Sequence, residues 1–334
     1  MYYLCNPLHF YVIVMLNVFI DIVLLVVGIV MVLWGADGFV SGASGMARRW
    51  RVSEMLIGLT VVAMGTSMPE FVVSLISALK GSADMSAGNV VGSNVFNVLM
   101  IVGVSSMFLA MSVERRLLVR DILFVIYSSV ILVALSQDGS LSRWDALVLL
   151  MCFSMYMIYS YNVARSGQTE SAGDSPVTVM GWGRILLFIA LGIFGLVAGG
   201  QLLVSTASSI AREFGMSERA IGLTILAVGT SLPELATSIV AARRGSVGLA
   251  LGNAIGSNLF NIFFVLGASA FVCPMRIKGL GTLDWVALVG SAVVLFVFGG
   301  TGRKITRMEG FVMMLLYFLY MTALVAGWKL ELSL

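Results

Sequence analysis

Long apolar runs broken by short polar stretches dominate the chain. A helix needs about 20 consecutive apolar residues to cross a bilayer, and ten segments qualify: 12–45, 54–79, 86–111, 117–136, 144–163, 183–212, 218–242, 247–272, 282–300 and 309–328. The first and sixth are the longest and carry small polar residues in their second halves (GADGFVSGASGMA and GGQLLVSTASSIA), which suits tilted or partly amphipathic helices. One substantial polar stretch, Arg165 to Gly181 (RSGQTESAGDSPVTVMG), separates a first five-helix unit, residues 1–164, from a second, residues 182–334. The pattern predicts an all-α polytopic membrane protein with ten transmembrane helices.

The two units are related. Gly58 to Leu99 (58–99) returns at Gly222 to Phe263 (222–263) with a constant offset of 164, no gap, and 20 of 42 positions identical. The identities fall mainly on Gly, Thr, Ser, Pro, Glu and Asn. Each unit has an odd number of helices, so the copies enter the membrane in opposite directions. Such inverted repeats are an architecture of secondary transporters.

Composition agrees: 59% of residues are apolar and 11% charged, with a mean hydropathy of +1.02. So few charges cannot cover a water-soluble domain of this length. The net charge of +3 is dispersed, with no basic patch interleaved with aromatics, so nucleic acid is not an expected partner. Cys5, Cys152 and Cys273 form neither a CxxC pair nor a disulfide framework, and His9 is the single histidine. A zinc centre or histidine-based catalysis is therefore not expected. The first residues lack the charged n-region and small-residue cleavage pattern of a signal peptide, so the first segment is expected to stay in the protein. Met15 is an expected physiological start, since the residues before it add nothing the second half needs.

Thirteen of the 20 Lys and Arg fall in loops 1–2, 3–4, 5–6, 7–8 and 9–10, against seven on the opposite face. The positive-inside rule puts both termini outside and the central linker, 165–181, in the cytoplasm. Arg48, Arg49 and Arg51, and Arg303, Lys304 and Arg307, are read as topology anchors. Asp21 and Asp121, near predicted membrane ends, are expected to be solvated.

The candidate chemistry lies in the repeat. Thr66 and Glu70 share a helix face at i, i+4, with Ser67 beside them. Pro69 lacks an N–H and clashes with the carbonyl four residues back, at Gly65, so a break is expected that frees carbonyls around Ala63 to Gly65. Thr230, Ser231, Pro233 and Glu234 repeat the arrangement, with freed carbonyls expected around Ala227 to Gly229. The following segments open with GNVVGSNVFN and GNAIGSNLFN. Their GxxxG pairs, Gly88/Gly92 and Gly252/Gly256, allow close helix approach. Ser93 and Asn97 share one face, as do Ser257 and Asn261. All of these donors are hard oxygens, which select sodium, calcium or magnesium over zinc or copper. Calcium takes roughly six to eight oxygens, and two bidentate carboxylates with two carbonyls reach the lower figure. Magnesium, reluctant to shed water, fits less well. The bland alternative is that each Glu is protonated and only braces the bundle. A buried charge at mid-membrane costs roughly 2.5–3.5 kcal/mol on insertion scales, and two at equivalent positions, each inside TSxPE, argue against an accident. For Asp37, opposite Gln201 in the second copy, two readings stand: a cap or interfacial residue, or an ion relay.

GTSMPE…GNVVGSNVFN and GTSLPE…GNAIGSNLFN resemble the two α-repeats of the sodium/calcium exchanger family, within the cation/calcium antiporter superfamily, and most closely its prokaryotic ten-helix members. The resemblance extends in topology over essentially the whole chain. It implies that Glu70 and Glu234 provide the main cation ligands, that Thr66, Ser67, Thr230 and Ser231 add oxygens with the carbonyls of Ala63 and Ala227, and that Ser93, Asn97, Ser257 and Asn261 complete the site. It also implies exchange of several sodium ions, typically three, for one calcium, with the first and sixth helices sliding against the other eight. Many members carry Asp where this chain has Asn261, which leaves potassium co-transport and stoichiometry open. A plasma (bacterial or archaeal inner) membrane is the implied location. No cofactor and no obligate protein partner are expected beyond sodium, calcium and the lipid bilayer.

The rival on the same scaffold is a calcium/proton antiporter, with a potassium-dependent sodium/calcium exchanger as a further variant. The hydroxyls beside each carboxylate favour sodium, since a proton carrier does not need them. A passive channel would lack the inverted repeat with broken helices. An intramembrane enzyme is not expected, because there is no HExxH, no embedded His and no Lys paired with a nucleophilic Ser.

Overall fold

The structure, a computed structural model, describes residues 7–167, 180–213 and 227–331. Most of the linker and the first part of the seventh expected segment, 218–226, lie outside the described residues.

The first unit runs α1 (Pro7–Trp50), α2 (Glu54–Thr66), α3 (Met68–Leu79), α4 (Ala83–Phe108), α5 (Leu117–Leu135) and α6 (Arg143–Gly167). The second runs α7 (Trp182–Glu213), α8 (Ala227–Thr230), α9 (Leu232–Arg243), α10 (Val247–Val272), α11 (Thr282–Gly300) and α12 (Arg307–Glu331). Eight of these helices are long and apolar enough to span a membrane, and α2 with α3, bent by 45°, make a ninth. The α8–α9 segment repeats the break between α2 and α3, and the residues before Ala227 lie outside the described residues, so nine candidate spans stand among the described residues. α1 extends five residues beyond the expected 45, ending at Arg48, Arg49 and Trp50.

α4 and α10 form the centre, each 78% buried over its most apolar window, whereas the matching windows of the first and last spans are 22% and 17% buried. Large apolar side chains on the outer helices, such as Phe194 and Met155, are exposed to where lipid belongs. α1 and α7 pack backbone to backbone. A Cβ added at Gly35 would stand 2.6 Å from Leu196 N, and one at Gly192 2.6 Å from Phe39 N, so only glycine permits this approach. Gly252 and Gly256 likewise seat α10 on α2, where an added Cβ would lie 2.5 Å from the Met55 and Leu59 carbonyls. The equivalent partners of Gly88 and Gly92, residues 219 and 223, lie outside the described residues.

Four two-residue strands tie the units together, and the hydropathy pattern gave no sign of them. β1 (Met111–Ser112) pairs antiparallel with β4 (Lys304–Ile305), and β2 (Ser140–Leu141) with β3 (Met275–Arg276). Each ladder takes one strand from each unit, and the offset of 164 maps one ladder onto the other.

One expectation fails here. Asp121 is buried, 7% exposed, with Tyr156 Oη donating to its Oδ1 at 3.5 Å. The segment's end packs against α6 instead of reaching water.

Candidate functional site

The break in each Glu-bearing helix falls at a serine. α2 ends at Thr66, Ser67 is a turn residue, and Pro69 enters α3 within its first turn, where a missing N–H costs nothing. Ser231 and Pro233 do the same between α8 and α9. The Ala63 carbonyl is less free than the sequence implied, because it accepts the Ser67 N–H at 3.0 Å. The carbonyl that Pro69 deprives of an i+4 donor is Gly65. The Ala63 carbonyl also accepts the Thr66 hydroxyl, at 3.4 Å.

The breaks bring the two units into contact. Glu70 and Glu234 are both fully buried. Ser67 Oγ donates to Glu234 Oε1 at 2.7 Å, and Ser231 Oγ lies 3.0 Å from Glu70 Oε1. Each serine therefore serves the carboxylate of the other unit. Ser231 Oγ also reaches Ser93 Oγ at 3.1 Å, bringing α4 into the cluster. The remaining oxygens, Glu70 Oε2 and Glu234 Oε2, are buried with no hydrogen-bond partner among the described residues. So are Ser257 Oγ and both amide atoms of Asn97 and of Asn261. An orphaned buried polar group is costly, and a group of them around two carboxylates fits a hard cation as substrate. Asn97 and Asn261 lie in π-helical turns, Asn97–Val102 of α4 and Phe260–Leu266 of α10, a local widening frequent at functional sites. Of the twelve expected site residues, the structure gathers Ser67, Ser93, Ser231, Glu70 and Glu234 by direct contact. Thr66 at the end of α2, Asn97 on α4, and Ser257 and Asn261 on α10 are buried, Thr230 opens onto a cavity, and Ala63 and Ala227 begin the short helical turns before each break.

Two amides that contact the cluster's helices escaped the sequence reading, Asn89 and Asn253. Asn253 Nδ2 donates to the Glu234 carbonyl (3.2 Å) and to Ser238 Oγ (2.9 Å), while its Oδ1 accepts from Thr66 Oγ1 (3.1 Å). Asn89 repeats this with the Glu70 carbonyl (3.4 Å), Ser74 Oγ (2.9 Å) and Thr230 Oγ1 (3.4 Å). Each amide thus grips the Glu helix of its own unit and the Thr of the other. Both stand in the repeated GN dipeptide, and the signal available was that a buried amide beside a glycine must find partners.

Asp37 is not part of this cluster. Its carboxylate pairs with Arg244 after α9, and Arg244 Nη1 also donates to Ser41 Oγ at 2.7 Å.

The two approaches to the cluster differ. On one side a cavity of about 520 Å³ opens between α3, α7 and α8, lined by Met68, Pro69, Gln201, Val204 and Thr230. The residues that the repeat places opposite are closed. Ala36 and Val40 of α1 are buried, Phe39 is buried against Gly65, and the Asp37–Arg244 pair joins α1 to the end of α9.

Comparison with known proteins gives a consistent result. The family described as sodium/calcium exchanger protein matches residues 20–162 and 184–326, one match per unit. The putative antiporter CaxA of Alkalimonas amylolytica is 36% identical over 308 residues, covering 89% of this chain and 96% of CaxA. The sodium/calcium exchanger MaX1 of Methanosarcina acetivorans is 29% identical, covering 91% and 98%. Among solved structures, the sodium-calcium exchanger NCX_Mj soaked with Na+ and Sr2+ superposes with a TM-score of 0.81 at 30% identity, covering 92% of this chain and 99% of that one.

Proposed function

The chain belongs to the sodium/calcium exchanger protein family, and on that premise we propose that it exchanges sodium for calcium across the cell membrane by alternating access, extruding calcium electrogenically. The observation that carries the reading is the crossed pair of serine–glutamate hydrogen bonds at 2.7 and 3.0 Å, with one oxygen of each buried carboxylate left over. A structural brace would use all four oxygens within the protein. Two Glu charges neutralise one calcium ion, and hydroxyl, amide and carbonyl oxygens are the shell that sodium also takes.

In this reading Glu70 and Glu234 are the main ligands. Thr66, Ser67, Thr230, Ser231, Ser93 and Ser257 supply hydroxyls, Asn97 and Asn261 amides, and Ala63 and Ala227 carbonyls. Asn89 and Asn253 touch no cation. They accept the threonine protons and so turn the threonine lone pairs toward the ions. Ions enter through the open cavity beside α7. In this reading the cavity faces outside, since α3 runs away from the Lys/Arg-rich loops that the charge bias assigns to the cytoplasm. Closing it while freeing the Phe39 side carries the site to the cytoplasm. YrbG of Escherichia coli, 36% identical over 77% of this chain, is described as an inner membrane protein, which supports the same membrane here.

The test is radiolabelled calcium uptake into sodium-loaded proteoliposomes diluted into sodium-free buffer. Uptake is expected to require the outward sodium gradient and to fall at least tenfold, equivalent to about 1.4 kcal/mol, in Glu70→Gln and in Glu234→Gln. Uptake driven by a pH gradient and indifferent to sodium would move the protein to proton coupling. No uptake under either gradient would reject calcium as substrate.

A further inference from the structure

A second cavity, of about 200 Å³, lies away from the ion site. Arg51, after α1, lines it together with Glu114, Arg116, Arg120 and Asp121 around the start of α5, and Tyr159 late in α6. These elements meet at the Lys/Arg-rich face.

We infer that this cavity binds a phosphate-bearing anion, of the phosphodiester class carried by acidic phospholipid headgroups. None of the three arginines forms an ion pair among the described residues, where Asp37–Arg244 is the pair seen. The Arg120 guanidinium sits 5.2 Å over the Tyr159 ring, and its Nε is buried without a hydrogen-bond partner. Stacking fixes the planar fork and leaves its edges for an oxyanion. The two carboxylates cancel the arginines only in part. Asp121 Oδ1 is turned to Tyr156 Oη at 3.5 Å, and three guanidiniums against two carboxylates leave one positive charge. That balance matches a singly charged phosphodiester better than a dianionic monoester. The second unit keeps the buried carboxylate–tyrosine pair of this corner as Asp284 and Tyr320, with Leu283 rather than an arginine before the carboxylate. Basic pockets between helices at this level of a membrane suit acidic headgroups. Arg51 follows α1 while Arg116 and Arg120 begin α5, so a bound phosphate would bridge the two.

The test uses the full-length protein in neutral detergent and follows its thermal unfolding, so it does not depend on which ions are transported. Short-chain phosphatidylglycerol, short-chain phosphatidylcholine and inorganic phosphate are titrated separately. Phosphatidylglycerol is expected to raise Tm saturably, and Arg116→Ala/Arg120→Ala to lose at least half of that shift. Arg303→Ala, on the same face but outside the cavity, should keep it. A shift with inorganic phosphate that the double variant loses would support the site with a soluble anion as its source. Equal responses in wild type and double variant, or equal shifts with both lipids, would overturn the proposal and leave the arginines as topology anchors. If the double variant does not fold, Arg116→Gln is read instead, and an undiminished shift there counts against the site.

Discussion

In the proposed function, cation binding turns on single oxygen atoms and on which unit each one serves. If Asn89 positions Thr230 and Asn253 positions Thr66, the energetic couplings must cross the repeat. Calcium-binding affinity in a double-mutant cycle of Asn89→Ala with Thr230→Val should show a coupling of about 0.5–3 kcal/mol, while Asn89→Ala with Thr66→Val should be additive within about 0.5 kcal/mol. Equal couplings for both pairs would mean that the amides merely hold helices together. The two carboxylates make a second prediction. Calcium requires both ionised, so protons compete for the same oxygens. Acidification should raise the calcium concentration needed for half-maximal uptake, and saturating calcium should restore the rate. A rate that stays flat into strong acid would exclude Glu70 and Glu234 as ligands. The TSxPE donors were legible because a carboxylate inside an apolar run demands a reason. Asn89 and Asn253 were not, since nothing in a local pattern says which distant threonine an amide will meet.

At the scale of elements, one bond distinguishes the two approaches to the site. Asp37 on α1 holds Arg244 after α9 on the closed side, while the equivalent pair, Gln201 and Lys80, has no charge complementarity on the open side. The pair is half exposed, so its worth is modest, about 1 kcal/mol or less. Even that shifts a two-state balance several-fold. Arg244→Gln should therefore favour the state in which the cavity beside α7 is closed. In a background lacking the native cysteines, a cysteine at Gln201 should then react several-fold more slowly with an impermeant thiol reagent. Unchanged labelling would make the pair a bystander. The helices to which the resemblance assigns this motion were visible as the longest runs, whereas the pair was not, because Asp37 and Arg244 are 207 residues apart. The four short strands were invisible for a related reason. Two-residue ladders exist only where two loops from different units are brought edge to edge.

For the molecule as a whole, the proposed exchange of three sodium ions for one calcium predicts a response to voltage. Two carboxylates with one calcium sum to zero, and with three sodium ions to +1. Each full cycle then moves one charge, worth about 2.3 kcal/mol per 100 mV. Calcium uptake into sodium-loaded vesicles carries net positive charge outward, so an inside-positive potential should accelerate it and an inside-negative one should slow it. Potentials set with valinomycin and potassium gradients test this, and indifference to both signs would mean electroneutral exchange.

The amino-acid order alone determined the membrane class, the number of spans, the inverted duplication and the kinds of donor atom at the candidate site. Those properties follow from segment length, chain direction and residue type, all of which are local or simply repeated. Only the tertiary structure decided that Ser67 serves Glu234 and Ser231 serves Glu70, that Asp121 is buried, and that the path beside α7 is open while the one behind Phe39 is shut. Two units with nearly the same motif can meet in several registers and in two access states. The choice among them lies in glycine-close helix packing and in contacts between distant side chains, which no window along the chain contains.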